Sequence, residues 1–83
     1  MATVSLRLFA SARDAAGRAS DTVDASTVGD VLDYARGAYG ARFAEVLDKA
    51  RVWVNGDEPA DGNATSLTDG DEVAVLPPVS GGR

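Results

Sequence analysis

Near the start of the chain Val4, Leu6 and Leu8 alternate with Thr3, Ser5 and Arg7. That period of two predicts a strand with one buried face, continuing into Phe9. Residues 11–17 are small and polar and read as a turn. Residues 19–23 offer a second, weaker strand, joined to the first most economically as a hairpin. Ser26-Thr27 then precedes a helical stretch, with Thr27 and Asp30 spaced as a capping box in which Asp replaces the usual Glu or Gln. Val28, Val31, Leu32, Ala35 and Tyr39 form one apolar stripe, while Asp30, Asp33 and Arg36 fall outside it. Gly37 and Gly40 mark where that helix ends. Phe43, Val46, Leu47 and Ala50 repeat the spacing over a shorter segment, as a second helix or a helical turn.

Residues 51–54 read as a strand, closed by the tight-turn pair Asn55-Gly56. Residues 57–66 are polar and loop-like, and Pro59 excludes a central strand position there. Asp69-Gly70 makes another turn before a final strand over residues 72–76, which Pro77-Pro78 ends because neither residue donates to a ladder. The expected order is strand, strand, helix, strand, strand. A hairpin, a helix across it and a returning last strand parallel to the first describe an α+β chain, a β-grasp or ubiquitin-like mixed sheet covered on one face. Val4, Leu6, Leu8, Val73 and Val75 supply the buried face. The domain is expected over residues 1–78, followed by a flexible Gly-Gly tail over 79–83.

Composition narrows what such a fold could do. The 83 residues support one domain, with 45% apolar content that excludes a disordered chain. Cysteine and histidine are absent, so disulfides, thiolate metal sites, a cysteine nucleophile and any Ser-His-Asp arrangement are excluded. No metal site is expected. Asp61 to Glu72 has the length of an EF-hand loop, but Ser66 stands where the turn needs glycine and a strand follows in place of a helix. Thirteen acids against eight bases give a net charge of −5, and the excess lies after residue 52. That acidity disfavours nucleic acid and would speed encounter with a basic partner, or simply keep the protein soluble. Arg42, Lys49 and Arg51 form a small basic edge, suited to a partner's acids or to solvent. The first residues carry no basic segment and no long apolar run, so no membrane association is expected and a cytoplasmic location is.

Residues 8–17, Leu-Phe-Ala-Ser-Ala-Arg-Asp-Ala-Ala-Gly, resemble the opening motif of MoaD-type sulfur carriers in the MoaD/ThiS family. Residues 69–82, Asp-Gly-Asp-Glu-Val-Ala-Val-Leu-Pro-Pro-Val-Ser-Gly-Gly, resemble their closing motif. Thr27-Val28-x-Asp30 and Val54-Asn55-Gly56 match weaker middle signatures. The resemblance implies a carrier whose terminal glycine is adenylated by an E1-like activating enzyme using ATP, then converted to a thiocarboxylate by a sulfur donor protein. No cofactor is bound permanently. In the MoaD branch the partner is a MoaE-type large subunit, and the pair is molybdopterin synthase of molybdenum cofactor biosynthesis. Related carriers serve cysteine, thiamin or thiolated metabolites, and a ubiquitin-like protein modifier is the further alternative.

Gly82 is thereby the expected reactive residue. Gly81 and Gly82 lack a Cβ and could pass a narrow channel, while Pro77-Pro78 stiffens the exit so that less ordering entropy is lost on threading. Phe9, Leu76, Pro77, Pro78, Val79, Ser80 and Gly81 are expected to contact partners. Phe9 and Leu76 follow buried neighbours and so face away from the core, as an apolar docking pair. Trp53 opposes Val52 and Val54, and its spacing does not choose between core and docking. Arg83 departs from the family, whose members end at the second glycine. A peptidase that removes it, an origin outside the natural sequence, or a chain that is never activated would each account for it.

Overall fold

The computed structural model describes residues 1–78. Four strands form one mixed sheet: β1 (Ala2–Leu8), β2 (Ser20–Ala25), β3 (Arg51–Val54) and β4 (Glu72–Leu76). Their order is β2-β1-β4-β3. β1 and β2 pair antiparallel as a hairpin, and β4 returns to lie parallel to β1, with Leu6 opposite Val73 and Leu8 opposite Val75. β3 closes the other edge antiparallel to β4. This is the expected β-grasp arrangement, with the two most apolar strands at its centre.

Three α-helices cover one face, α1 (Ala10–Ala16), α2 (Val28–Tyr39) and α3 (Ala41–Leu47), with α3 packed on α1 and α2. The stripe of α2 is buried at Val28, Val31, Leu32 and Ala35, over Val4, Leu6, Leu8, Val23, Val73 and Val75. Its start follows the capping logic with one change. The Thr27 Oγ1 accepts the Asp30 N–H at 3.2 Å, while the Asp30 carboxylate accepts from Ser26 N–H at 3.3 Å. Aspartate is a methylene shorter than the usual partner and takes the neighbouring donor. Gly40 then breaks the chain between α2 and α3 at φ +95°, and Phe43 of α3 is fully buried beneath Tyr39.

The turn expected over residues 11–17 is a helix instead. Its four alanines favour that conformation, Ala12 is completely buried, and Gly17 ends the helix in the left-handed region at φ +75°. One buried side chain makes too short a stripe for periodicity to report. The second strand also sits later than expected, over Ser20–Ala25, because Val23 and Ala25 are its buried positions and Ala25 lies opposite Ala2.

Candidate functional site

The alternation that buries Leu6 and Leu8 places Ser5 and Arg7 on the other side of the sheet, where none of the helices among the described residues lies. Ladder register extends that face across the strands. Arg7 stands opposite Ala74, which stands opposite Trp53; Leu76 stands opposite Arg51. Phe9, the residue after β1, is 40% exposed and its N–H donates to the Val75 carbonyl at 3.3 Å. The next residue, Ala10, has φ +49°, a left-handed conformation that turns the chain sharply from β1 into α1. Phe9 is thereby held at the rim of the bare face.

Phe9, Trp53, Ala74 and Leu76 line a shallow groove of about 320 Å³, with Gly56 and Glu72 at its end. Two expected residues, Phe9 and Leu76, are thus brought together, and Trp53 joins them. The Arg7 guanidinium lies 5.9 Å from the Phe9 ring centre and 3.3 Å from the Glu72 carboxylate, giving the groove a charged border. A polar hollow over Ser5, Arg7, Thr22 and Glu72 continues the same face toward β2. Strand alternation carried the signal for Arg7 and Glu72, but their pairing needed the β1–β4 register.

The edge of this face is stiffened at Asn55. Its backbone lies at φ +52°, its side-chain oxygen accepts the Glu72 N–H at 2.9 Å, and its amide donates to Asp71 at 3.0 Å. Hydrogen bonds from the Thr68 N–H and then from Asn55 hold the Asp71 carboxyl below its ordinary range. Asp71 thus orders the turn before β4 rather than standing as an open ligand. No cluster of metal-ligating side chains occurs among the described residues.

Pro77 and Pro78 leave the end of β4, Pro77 half-buried and Pro78 exposed. On the side of α1 and α3 they share a groove with Ser11, Arg42, Glu45, Val46 and Lys49. Val79, Ser80, Gly81 and Gly82, together with Arg83, lie outside the described residues. Pro77 and Pro78 thus leave β4 between the aromatic groove, which Leu76 lines, and a groove of mixed charge.

A third cluster lies at the covered edge of β2. The Asp21 carboxylate accepts the Tyr39 hydroxyl at 2.7 Å and the Tyr34 hydroxyl at 3.0 Å, with Arg18 3.4 Å away. The Tyr39 hydrogen bond is the main influence holding the Asp21 carboxyl below its ordinary range, and burial opposes it. Burial and Asp21 together push the Tyr39 phenol up. Both tyrosines stay protonated donors near neutral pH, so the cluster pins β2 to α2 and offers no general base. These residues are distant in sequence, and no pattern along the chain announced their meeting.

Among the described residues these features comprise an apolar groove on the sheet face opposite α2 and a mixed-charge groove at Pro77 and Pro78. Comparison with known proteins covers nearly the whole chain. The model of the ThiS family matches residues 6–82. The small archaeal modifier protein 1 of Haloferax volcanii is 41% identical, covering 92% of this chain and 97% of that protein. The solution structure of the small archaeal modifier protein 1 from Methanosarcina acetivorans superposes with a TM-score of 0.86 at 33% identity, over 99% of this chain and 98% of that one. A complex of subunits 1 and 2 of the molybdopterin-converting factor from Helicobacter pylori contains a chain with a TM-score of 0.71 at 25% identity, covering 96% of this chain and 99% of that one. Among the described residues no helix is long and apolar enough to cross a membrane.

Proposed function

The chain belongs to the ThiS family, and from that premise we propose that it is a ubiquitin-like carrier whose working atom is the carbonyl carbon of Gly82. A carboxylate is a poor electrophile until one oxygen becomes a good leaving group. After a peptidase removes Arg83, an E1-like activating enzyme transfers AMP from ATP to the Gly82 carboxylate. Sulfide-level sulfur released by a sulfur donor protein then attacks the Gly82 carbonyl carbon, the C–S bond forms as the C–O bond to AMP breaks, AMP leaves with the electron pair, and a thiocarboxylate remains. The folded domain supplies recognition through Phe9, Trp53 and Leu76, and partners supply the reacting side chains. One observation supports this reading: Leu76 lines the aromatic groove and Pro77-Pro78 follow it at once, so a partner docked there would meet the start of the tail.

Two recipients of the activated group have support. The 41% identity to a protein named as a modifier favours transfer of the Gly82 acyl group to lysine amines of other proteins. The likeness to one chain of the molybdopterin-converting complex favours the sulfur route, in which a MoaE-type large subunit receives the tail and the pair works as molybdopterin synthase in the cytoplasm. Protein recovered from the native cell distinguishes them. Covalent conjugates that disappear with a Gly82→Ala change support modification. A carrier one oxygen-to-sulfur exchange heavier, without conjugates, supports sulfur donation. Recovery of only unaltered chain still ending in Arg83 would overturn both.

A further inference from the structure

The sheet has two open edges, β2 and β3, and an unpaired edge strand offers its backbone groups to any second strand that meets it. β3 is short and partly closed by its own chain, since Val54 exchanges backbone hydrogen bonds of 2.8 and 3.0 Å with Asp57. β2 is longer, and no described strand pairs along its outer side. Its register on β1 decides which groups point outward. The Leu8 N–H donates to the Ala19 carbonyl at 2.8 Å, so the pairs Leu6–Asp21 and Val4–Val23 also exchange hydrogen bonds. The backbone groups of Ser20, Thr22 and Asp24 therefore point away from the sheet, and all three residues are exposed. Among the described residues only the central outward donor has a partner: the Thr22 N–H donates to Asp21 Oδ1 at 2.8 Å. The other oxygen of that carboxylate accepts the Tyr34 and Tyr39 hydroxyls and faces Arg18. The Asp21 side chain, only 16% exposed, is thus fixed between the strand edge and α2.

We propose that Asp21 is a guard on this edge, holding the Thr22 N–H so that β2 cannot pair with β2 of a second copy of the chain. A second copy is the fitting occupant because the edge is complementary to itself. In an antiparallel pair centred on Thr22, Thr22 meets Thr22 and Ser20 meets Asp24 on either side. That register uses every outward N–H and carbonyl of the three residues. It also sets no acid opposite an acid, since Asp21 stands across from Val23 and Asp24 across from Ser20. The two-fold axis passes between the two Thr22 residues, so a donor occupied there blocks the pairing once in each copy. The tyrosines make the block durable. An untethered aspartate could swing aside, whereas this one leaves only if its bonds to Tyr34 and Tyr39 break as well. This restraint on assembly is independent of what happens at Gly82.

Sedimentation equilibrium of the full chain and three variants tests the guard, with Trp53 fluorescence reporting that each is folded. The unmodified chain should remain a monomer up to about 1 mM, where a dimer of millimolar affinity becomes evident. Asp21→Asn should do the same, because its amide oxygen still accepts the Thr22 N–H. Asp21→Ala should associate reversibly to a dimer, about tenfold tighter or more than either. Adding Thr22→Pro to Asp21→Ala removes the central donor at a position that gives no hydrogen bond to β1, and should restore the monomer. A dimeric unmodified chain, a monomeric Asp21→Ala, an Asp21→Asn that dimerises as tightly, or a dimer that survives Thr22→Pro would each overturn the proposal. Amide hydrogen exchange reads the same hydrogen bond without any substitution. In the unmodified chain Thr22 should be protected about tenfold or more beyond Ser20 and Asp24. Equal protection of the three would overturn the proposal even where Asp21→Ala fails to fold.

Discussion

The covered and bare faces of the sheet are made by the same strands and follow opposite rules. On the covered face every inward position of β1 and β4 is an aliphatic residue at full burial, closed by α2 and Phe43. On the bare face the intervening positions hold Arg7, Glu72, Ala74 and Leu76, bordered by Phe9 and Trp53. The contrast teaches that one-residue parity along a strand separates what folds this chain from what it presents. Substitutions on the two faces should therefore fail in different assays.

The largest effect is expected on the covered side. Leu6→Ala should lower stability by about 2–5 kcal/mol, since its cavity lies beneath α2 in a fully enclosed core. Chemical unfolding followed by Trp53 fluorescence measures it. Bare-face changes sharpen the contrast. Phe9→Ala combined with Leu76→Ala should reduce kcat/KM for adenylation ten- to hundredfold, about 1.4–2.8 kcal/mol, while moving the unfolding midpoint less than Leu6→Ala does. An equal loss of stability would place these side chains in the core instead and break the distinction.

Much of the fold was legible because it rests on alternation and helical spacing. β1, β3 and β4 and the stripe of α2 follow directly from where valine and leucine fall. α1 escaped because a single buried alanine carries no period, and because small residues before Gly17 resemble a turn as closely as a helix. The site was legible in a different degree. Phe9 and Leu76 follow from parity, and the proline pair follows from its chemistry. Trp53 needed the register of β3 on β4 to be placed beside them. The Asp21–Tyr34–Tyr39 cluster needed the packing of α2 on the edge strand, which no local pattern encodes.

That cluster supplies a smaller, pH-dependent test. Folding holds the Asp21 carboxyl below its ordinary range, so its contribution is full above the unfolded carboxylate's titration and is lost as pH falls through the folded value. Asp21→Asn should therefore weaken the fold near neutral pH and converge with the unmodified chain in acid, as read from unfolding midpoints across pH. The smallest effect is expected at Ala10, whose left-handed backbone carries a Cβ penalty. Ala10→Gly should stabilise the chain by about 0.5–1 kcal/mol in the same assay, offset in part by the freer unfolded state.

The central claim is that the bare face delivers a carboxyl group that the domain itself never touches in the reaction. Mass analysis of the terminal peptide tests it most directly, after incubation with an activating enzyme, ATP and a sulfur donor. The account predicts that the chain ending at Gly82 exchanges one terminal oxygen for sulfur, and that the form retaining Arg83 does not. Exchange on the Arg83 form alone, or none on either form while both remain folded, would contradict it.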